Sequence, residues 1–303
     1  MIFISEEEIE KQLDLPELLV TMESALIDLS VGDVVQPVRT ALAVPGQQAW
    51  FGVMPVIYRD VMGAKLVTVY PGNSERNLPT HQALIQLFDR ETGEPLAVIG
   101  GRTITAWRTA AVSALATREL ARADAKVLAI LGSGVQARTH LKLLRMVRDF
   151  HSVRIWSRNR EHAERFADEC GAEVTTAEQA VYGADVIVTV THSSEPVLKG
   201  EWIRDGAHIN AVGAVGLHAR ELDSSAIQDS AVVVESAEAA MRESGDIVSS
   251  GVQIYGELGE ILALRKPKPQ ARKTIYKSLG VAVEDVAAAR MIYRRGSRLS
   301  GAP

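Results

Sequence analysis

The sequence predicts an α/β protein organised around a doubly wound parallel sheet, together with a second domain. Three observations point there. The chain has 303 residues, a length at which one compact core nears its practical limit, so two domains are expected. From residue 127 onward, short apolar runs alternate with helix-like stretches, the pattern of parallel strands joined by crossover helices. The first of these runs ends in a turn with spaced glycines.

That run is VLAIL (127–131), followed by GSGVQA (132–137) and then a helix-like RTHLKLLRMV. Gly132, Gly134 and Ala137 fit G-x-G-x-x-G/A. The first position makes the tight turn, the second admits a pyrophosphate close to backbone, and the third allows close helix packing. The helix start supplies N–H groups to the anion. Further strands are expected at VRIWS (153–157), DVIVTVT (185–191) and AHINAVG (207–213), with a helix from Asn159 to Cys170. This is the order of a Rossmann dinucleotide-binding domain.

The end of the second strand selects the dinucleotide. An acidic residue there holds a ribose 2′-OH and repels a 2′-phosphate. The window reads Ser157, Arg158, Asn159, Arg160, with no carboxylate, and Arg158 can bond a phosphate. NADPH is therefore the expected cofactor.

Ahead of this domain, Arg39, Lys65 and Arg108 occupy positions where periodicity predicts apolar neighbours. Ile104, Trp107, Arg108, Ala111, Val112, Leu115 and Glu119 form one helical stripe. Strand alternation sets Lys65 on the face of Val67 and Val69, and Arg39 beside Ala41 and Ala43. A buried cation needs an anion, either an internal carboxylate or a ligand, and spacing alone leaves both open.

Composition excludes other classes. Lys+Arg 33 against Asp+Glu 38 gives a net charge of −5, no field to draw nucleic acid or anionic lipid. The one dense basic run, RKPKPQARK (265–273), reads as a solvated, Pro-stiffened loop. A single cysteine, Cys170, cannot form an internal disulfide and suits a reducing compartment, so a cytoplasmic location is expected. Glu6, Glu7 and Glu8 stand where a secretory signal carries basic residues, and no apolar stretch is long enough to span a membrane. The seven histidines show no H-E-x-x-H spacing, and no metal is expected.

The stretches QPVRT (36–40), KLVTVYPGN (65–73), THQAL (80–84), ITAWRTAAVSALAT (104–117), ILGSGVQA (130–137), AHINAVGA (207–214), ESGDI (243–247) and KSLGVAVEDVAAA (277–289) together resemble the ornithine cyclodeaminase/mu-crystallin family. GVMP (52–55), RIWSR (154–158) and the EP-x-L-x-GEW pattern at 195–202 are most similar to its mu-crystallin branch, NADPH-dependent ketimine reductases. The resemblance implies a Rossmann domain (121–281) inserted into an α+β substrate-binding and dimerisation domain (1–120 plus 282–303). It implies a homodimer acting as an NAD(P)H-dependent oxidoreductase on CH–NH donors, its partner a small cyclic imino acid.

By the same resemblance, Arg39, Lys65 and Arg108 surround the substrate carboxylate, with Lys65 and Arg108 catalytic. Thr80 and His81 line the cofactor and substrate cleft, and Glu243 lies on the substrate side. Gly134, Val135, Gln136, Ser157, Arg158, Asn159, Thr191, His192, Val212 and Ser278 lie near the cofactor, as Gly132 and Ala137 do by their spacing. The implied reaction is reduction of the C=N bond of a pyrroline-2-carboxylate or piperideine-2-carboxylate type ketimine.

Two departures stand out. Cyclodeaminases carry an Asp just beyond the HINAVG-like strand, where it assists deamination and ring closure, and this chain has Val215. Valine exchanges no protons, which opposes a cyclodeaminase. Relatives also place an acidic residue just before the glycine at Gly100-Gly101-Arg102. The other readings the family offers are an alanine dehydrogenase or reductive aminase, and a non-enzymatic thyroid-hormone binder.

Overall fold

The computed structural model describes the backbone of residues 1–299 and the side chains of residues 1–296. Contacts divide the chain into two compact units, Met1–Arg108 with Gly280–Pro303, and Thr109–Leu279. The first break thus falls inside a helix rather than at the expected 120/121, and the second at 279/280. Residues 300–303 of the expected 282–303 segment lie outside the described residues.

Unit 1 begins with β1 (Ile2–Ile4), α1 (Glu6–Gln12), α2 (Leu15–Val31), β2 (Val34–Val35), β3 (Thr40–Ala43), β4 (Trp50–Tyr58), β5 (Val61–Val69), β6 (His81–Asp89), β7 (Pro95–Gly100) and the start of α3 (Gly101–Leu120). The sheet order is β1-β7-β6-β5-β4-β2, with β3 also on β4. All pairings are antiparallel except β1 with β7. Every second residue of β5 is buried, including Lys65, because alternate side chains of a pleated strand share a face. Arg39 instead precedes β3, whose four residues are exposed at the sheet's margin, so it does not share a buried strand face with Ala41 and Ala43.

Gly100-Gly101-Arg102 stands at the junction of β7 and α3. Glu6 of α1 accepts from Arg102 N at 3.0 Å and Thr103 N at 2.7 Å, so a carboxylate reaches this helix end from another element. From Arg108 to Thr117 every α3 residue is buried, a fuller burial than the one stripe that spacing predicts. Small Ala, Ser and Thr side chains allow it. Beyond Arg108 the helix belongs to unit 2, where Ser113 meets His140 and Thr117 meets Asn210.

Unit 2 continues with β8 (Val127–Leu131), α4 (Val135–Val147), β9 (Ser152–Trp156), α5 (Arg160–Cys170), β10 (Glu173–Val174), α6 (Ala177–Val181), β11 (Val186–Thr189), β12 (His208–Ala211), α7 (Ser224–Ile227), β13 (Ser230–Val234), α8 (Ala237–Glu243), α9 (Gly245–Ser250), β14 (Ile254–Glu257), α10 (Leu258–Leu262) and β15 (Lys273–Lys277). The sheet is parallel throughout, in the order β10-β9-β8-β11-β12-β15-β13-β14. Its first five strands follow the Rossmann pattern. The basic 265–273 run ends as the first residue of β15, with Lys268 paired to Glu119 and Arg272 to Asp205.

The chain then returns to unit 1 as α11 (Ala282–Leu299), which packs with α2 on β4, β5 and β6. One sheet face is thereby covered. Among the described residues no helix is long and apolar enough to cross a membrane.

Two buried histidines couple unit 2 to pH. His140 bonds Ser113 and the Gln136 carbonyl, and His208 bonds Thr274 and Asn210. Burial lowers their pKa values from 6.5 to about 4 and about 3. Both are neutral in the fold at pH values where the unfolded chain protonates them. Their contribution is complete above about 6.5 and is lost as pH falls towards the folded values, at up to about 1.4 kcal/mol per pH unit for each. Thermal unfolding should therefore show Tm falling from pH 6.5 to 4, with a shallower slope in His140→Gln; an unchanged slope would contradict this origin.

Candidate active site

The glycine turn lies at the carboxyl edge of β8. Gly132 has φ +131°, and a Cβ there would lie 2.7 Å from the Val190 carbonyl oxygen, so the position demands glycine. Gly134 is the N-cap of α4 and offers no side-chain cap, which leaves the helix's first N–H groups for an anion. Ala137 is fully buried, as close packing of α4 requires, and Val135 is exposed. Gln136 keeps a buried Oε1 with no hydrogen-bond partner among the described residues. These features fit a dinucleotide pyrophosphate.

At the end of β9, Ser133 Oγ donates to Ser157 Oγ at 2.9 Å, tying the turn to the next strand. Arg158 is exposed, and no hydrogen bond or ion pair among the described residues occupies its guanidinium. Asn159 caps α5, its side chain accepting from His162 N. Val212 follows β12 and is buried, and Ser278 Oγ donates to Glu235. His192 is exposed, while Thr191 is held by Glu221.

Glu221 is a residue that the sequence reading missed. Fully buried, it accepts from Thr189 Oγ1, Thr191 N and Oγ1, Gly213 N and Ala214 N, joining the ends of β11 and β12. Asp246 accepts from Glu221 N and Leu222 N, and pairs with Lys277 at 3.0 Å. Lys277 Nζ also donates to the Ala214 carbonyl at 2.7 Å. This network shapes the loop that carries exposed Val215. Glu243, half-buried at the end of α8, accepts from Gly216 N through its carbonyl.

Unit 1 brings the three expected cations together. Arg108, on α3, donates from Nε to Asp285 Oδ1 at 2.9 Å and from Nη1 to Glu284 Oε2 at 2.6 Å. Lys65, on β5, pairs with Asp285 Oδ2 at 2.5 Å. Arg39 Nη2 donates to the Gly280 carbonyl at 2.7 Å. For Lys65 and Arg108 the internal carboxylates required by burial are thus present, both from the first turn of α11. Spacing could have found them: Glu284 and Asp285 interrupt an otherwise apolar VAV-VAAA stretch.

Burial lowers Lys65 from 10.5 to about 8, with Asp285 resisting and Arg108 and Arg39 assisting. Burial would raise Asp285, but Arg108 and Lys65 outweigh it and hold the carboxyl below its ordinary range. His81, first residue of β6, is lowered to about 4 by burial and then by Lys65, which places it within the field of this cluster. Thr80 beside it is exposed, its carbonyl accepting from Tyr70 N. Among the described residues no group of three or more His, Cys, Asp or Glu side chains is arranged to hold a metal.

The sequence profile of the ornithine cyclodeaminase/mu-crystallin family matches residues 1–299. The chain belongs to that family. Ketimine reductase mu-crystallin of Mus musculus is 46% identical over 300 residues, 96% of each chain. The solved structure of Thermococcus litoralis Delta(1)-pyrroline-2-carboxylate reductase in complex with NADH and L-proline is similar with TM-score 0.94 and 37% identity, covering 100% of this chain and 99% of that one. An archaeal alanine dehydrogenase dimer with bound NAD is similar with TM-score 0.93 and 33% identity, covering 98% and 96%.

Gly280 offers a test of how tightly the unit 1 cluster is packed. It has φ +74°, and a Cβ there would lie 2.5 Å from Arg108 Nη1 and 2.6 Å from Nη2. Gly280→Ala should combine backbone strain with displacement of the guanidinium, costing about 1–3 kcal/mol. Thermal unfolding should show a clear fall in Tm; an unchanged Tm would mean that the cluster tolerates the shift.

Proposed function

We propose that the chain is an NADPH-dependent oxidoreductase that reduces the C=N bond of a cyclic ketimine carboxylate, of pyrroline-2-carboxylate or piperideine-2-carboxylate type, to a cyclic amino acid. The observation that carries this reading is the convergence of Arg39, Lys65 and Arg108 in a chain that also bears the glycine turn. Within unit 1 the cluster gathers two guanidinium groups and an ammonium, donors suited to a substrate carboxylate. The family's reductases of cyclic imines support the same reaction.

The reduced nicotinamide dinucleotide, when bound, supplies the hydride. Gly132, Gly134, Val135, Gln136 and Ala137 hold its pyrophosphate, and Arg158 with Ser157 and Asn159 receives the 2′-phosphate. Thr191, His192, Val212 and Ser278 border the rest of the cofactor, with Thr80 and His81. Arg39 and Arg108 clamp the substrate carboxylate, a planar group matched to guanidinium, and so orient the imine. Lys65 gives a proton to the ring nitrogen. His81, neutral near pH 7, lines the site without adding charge. Glu243 lies on the substrate side, and Val215 leaves no acid there for a cyclodeaminase reaction.

A homodimer in the cytoplasm completes the reading. The sheet face away from α2 and α11 is apolar and open: Val53, Leu66 and Leu84 stand in one cross-strand row, with Leu66 41% and Leu84 46% exposed. Leu42, 56% exposed, pairs with Phe51 on the same sheet. A second copy of the chain would cover such a face, and sedimentation equilibrium at the mass of one chain would contradict it.

Oxidation of NADPH with five- and six-membered cyclic ketimine carboxylates and with pyruvate plus ammonia, together with proline formation from ornithine and NAD, tests the reaction. The cyclic ketimines should give the highest kcat/KM and ornithine no proline. NADPH should bind at least about tenfold tighter than NADH, about 1.4 kcal/mol, and Arg158→Ser should remove that preference. Turnover of pyruvate plus ammonia alone, proline from ornithine, or no turnover at all would each overturn the assignment.

A further inference from the structure

Asp285 is a carboxylate that touches both Lys65, the expected proton source, and Arg108 of the expected clamp. We propose that Asp285 is the positioning residue that holds Lys65 ready as the proton donor of imine reduction, an inference that rests on the ketimine reductase reading. Its Oδ2 takes the Lys65 ammonium at 2.5 Å and its Oδ1 takes Arg108 Nε at 2.9 Å. Both oxygens are committed, so one anion fixes the donor relative to the clamp. Neither group of the Lys65–Asp285 pair has appreciable contact with water, the side chains being 3% and 0% exposed.

The charges around Lys65 decide why an anion is needed. Facing it are Asp285 of α11, Arg108 of α3, Arg39 ahead of β3 and His81 of β6, with Glu284 engaged by Arg108. Burial and the two guanidinium groups all favour the neutral amine, and Asp285, by charge and by hydrogen bond, opposes them. With Asp285 present the pKa is lowered to about 8, so the ammonium persists at neutral pH yet parts with its proton readily. Without Asp285 the balance would move further toward the neutral amine, which has no proton to give.

The step balances simply. Hydride from the dinucleotide forms the new C–H bond, the C=N π pair moves onto nitrogen, and that nitrogen takes a proton from Lys65 Nζ. Lys65 is left as the neutral amine beside the Asp285 carboxylate and regains its proton from solvent between turnovers.

The test is the pH profile of single-turnover hydride transfer to piperideine-2-carboxylate in the wild type, Lys65→Met and Asp285→Asn, with thermal unfolding of each. In the wild type the rate should fall as pH rises through about 8. Titration of the substrate's own imine is common to all three proteins. Lys65→Met should lose the Lys65 limb, and Asp285→Asn should move it to lower pH by about one unit or more, the effect of removing an opposite charge at contact.

If the limb persists in Lys65→Met, Lys65 is not the donor and that part of the functional reading fails. If it vanishes there but stays in place in Asp285→Asn while Tm falls, Asp285 is merely structural and the inference is overturned. Should Asp285→Asn not fold, a titration of the wild type labelled with ¹³C at aspartate carboxyls decides. One signal should show an inflection at the pH of the kinetic limb that is absent from Lys65→Met, and no such inflection would overturn the proposal.

Discussion

The buried ion cluster of Lys65, Arg108, Glu284 and Asp285 is the constraint on which unit 1 depends. Each of these side chains is at most 5% exposed, and a buried charge left without its partner costs about 3–5 kcal/mol. Strand β5, helix α3 and the first turn of α11 must therefore meet in one register. The carboxy-terminal helix is held to the first hundred residues by charge as well as by apolar packing. Gly280 is part of the same constraint: its missing side chain makes room for Arg108, and its carbonyl receives Arg39.

Such a cluster is a poor choice if stability is the only end, because well-packed apolar residues often serve as well or better. Its use lies in what it presents. Guanidinium groups held by carboxylates keep a fixed orientation, and a buried ammonium with a lowered pKa can exchange its proton near neutral pH. Unit 2 uses the same device differently. There Glu221, Asp246 and Lys277 bind backbone N–H and carbonyl groups of the loops after β11 and β12, so charge sets the shape of that edge of the sheet.

Much of this was legible in the sequence. VLAIL-GSGVQA placed the glycine turn because strand, turn and helix each have local signals, and Arg108 and Lys65 stood out because a cation interrupted an apolar period. Arg39 could not be placed that way, since it precedes an exposed strand at the sheet margin. Glu284 and Asp285 carry the same kind of signal on α11, since two acids among valines and alanines require cations as surely as Arg108 requires an anion. Glu221 and Asp246 had no local signal: their partners are backbone groups and a lysine distant in sequence. The role of Glu6 at the start of α3 was hidden likewise, because the cap comes from another element across some 96 residues.

Whether the unit 1 cluster receives a carboxylate is most directly measured by calorimetry of L-proline and L-pipecolate against their amides, with the protein saturated with NADP⁺. A carboxylate receptor built on two guanidinium groups should bind the acids at least about tenfold more tightly than the amides, the worth of one charge-assisted hydrogen bond. Equal affinities for acid and amide would contradict it and leave the buried cluster a structural ion network.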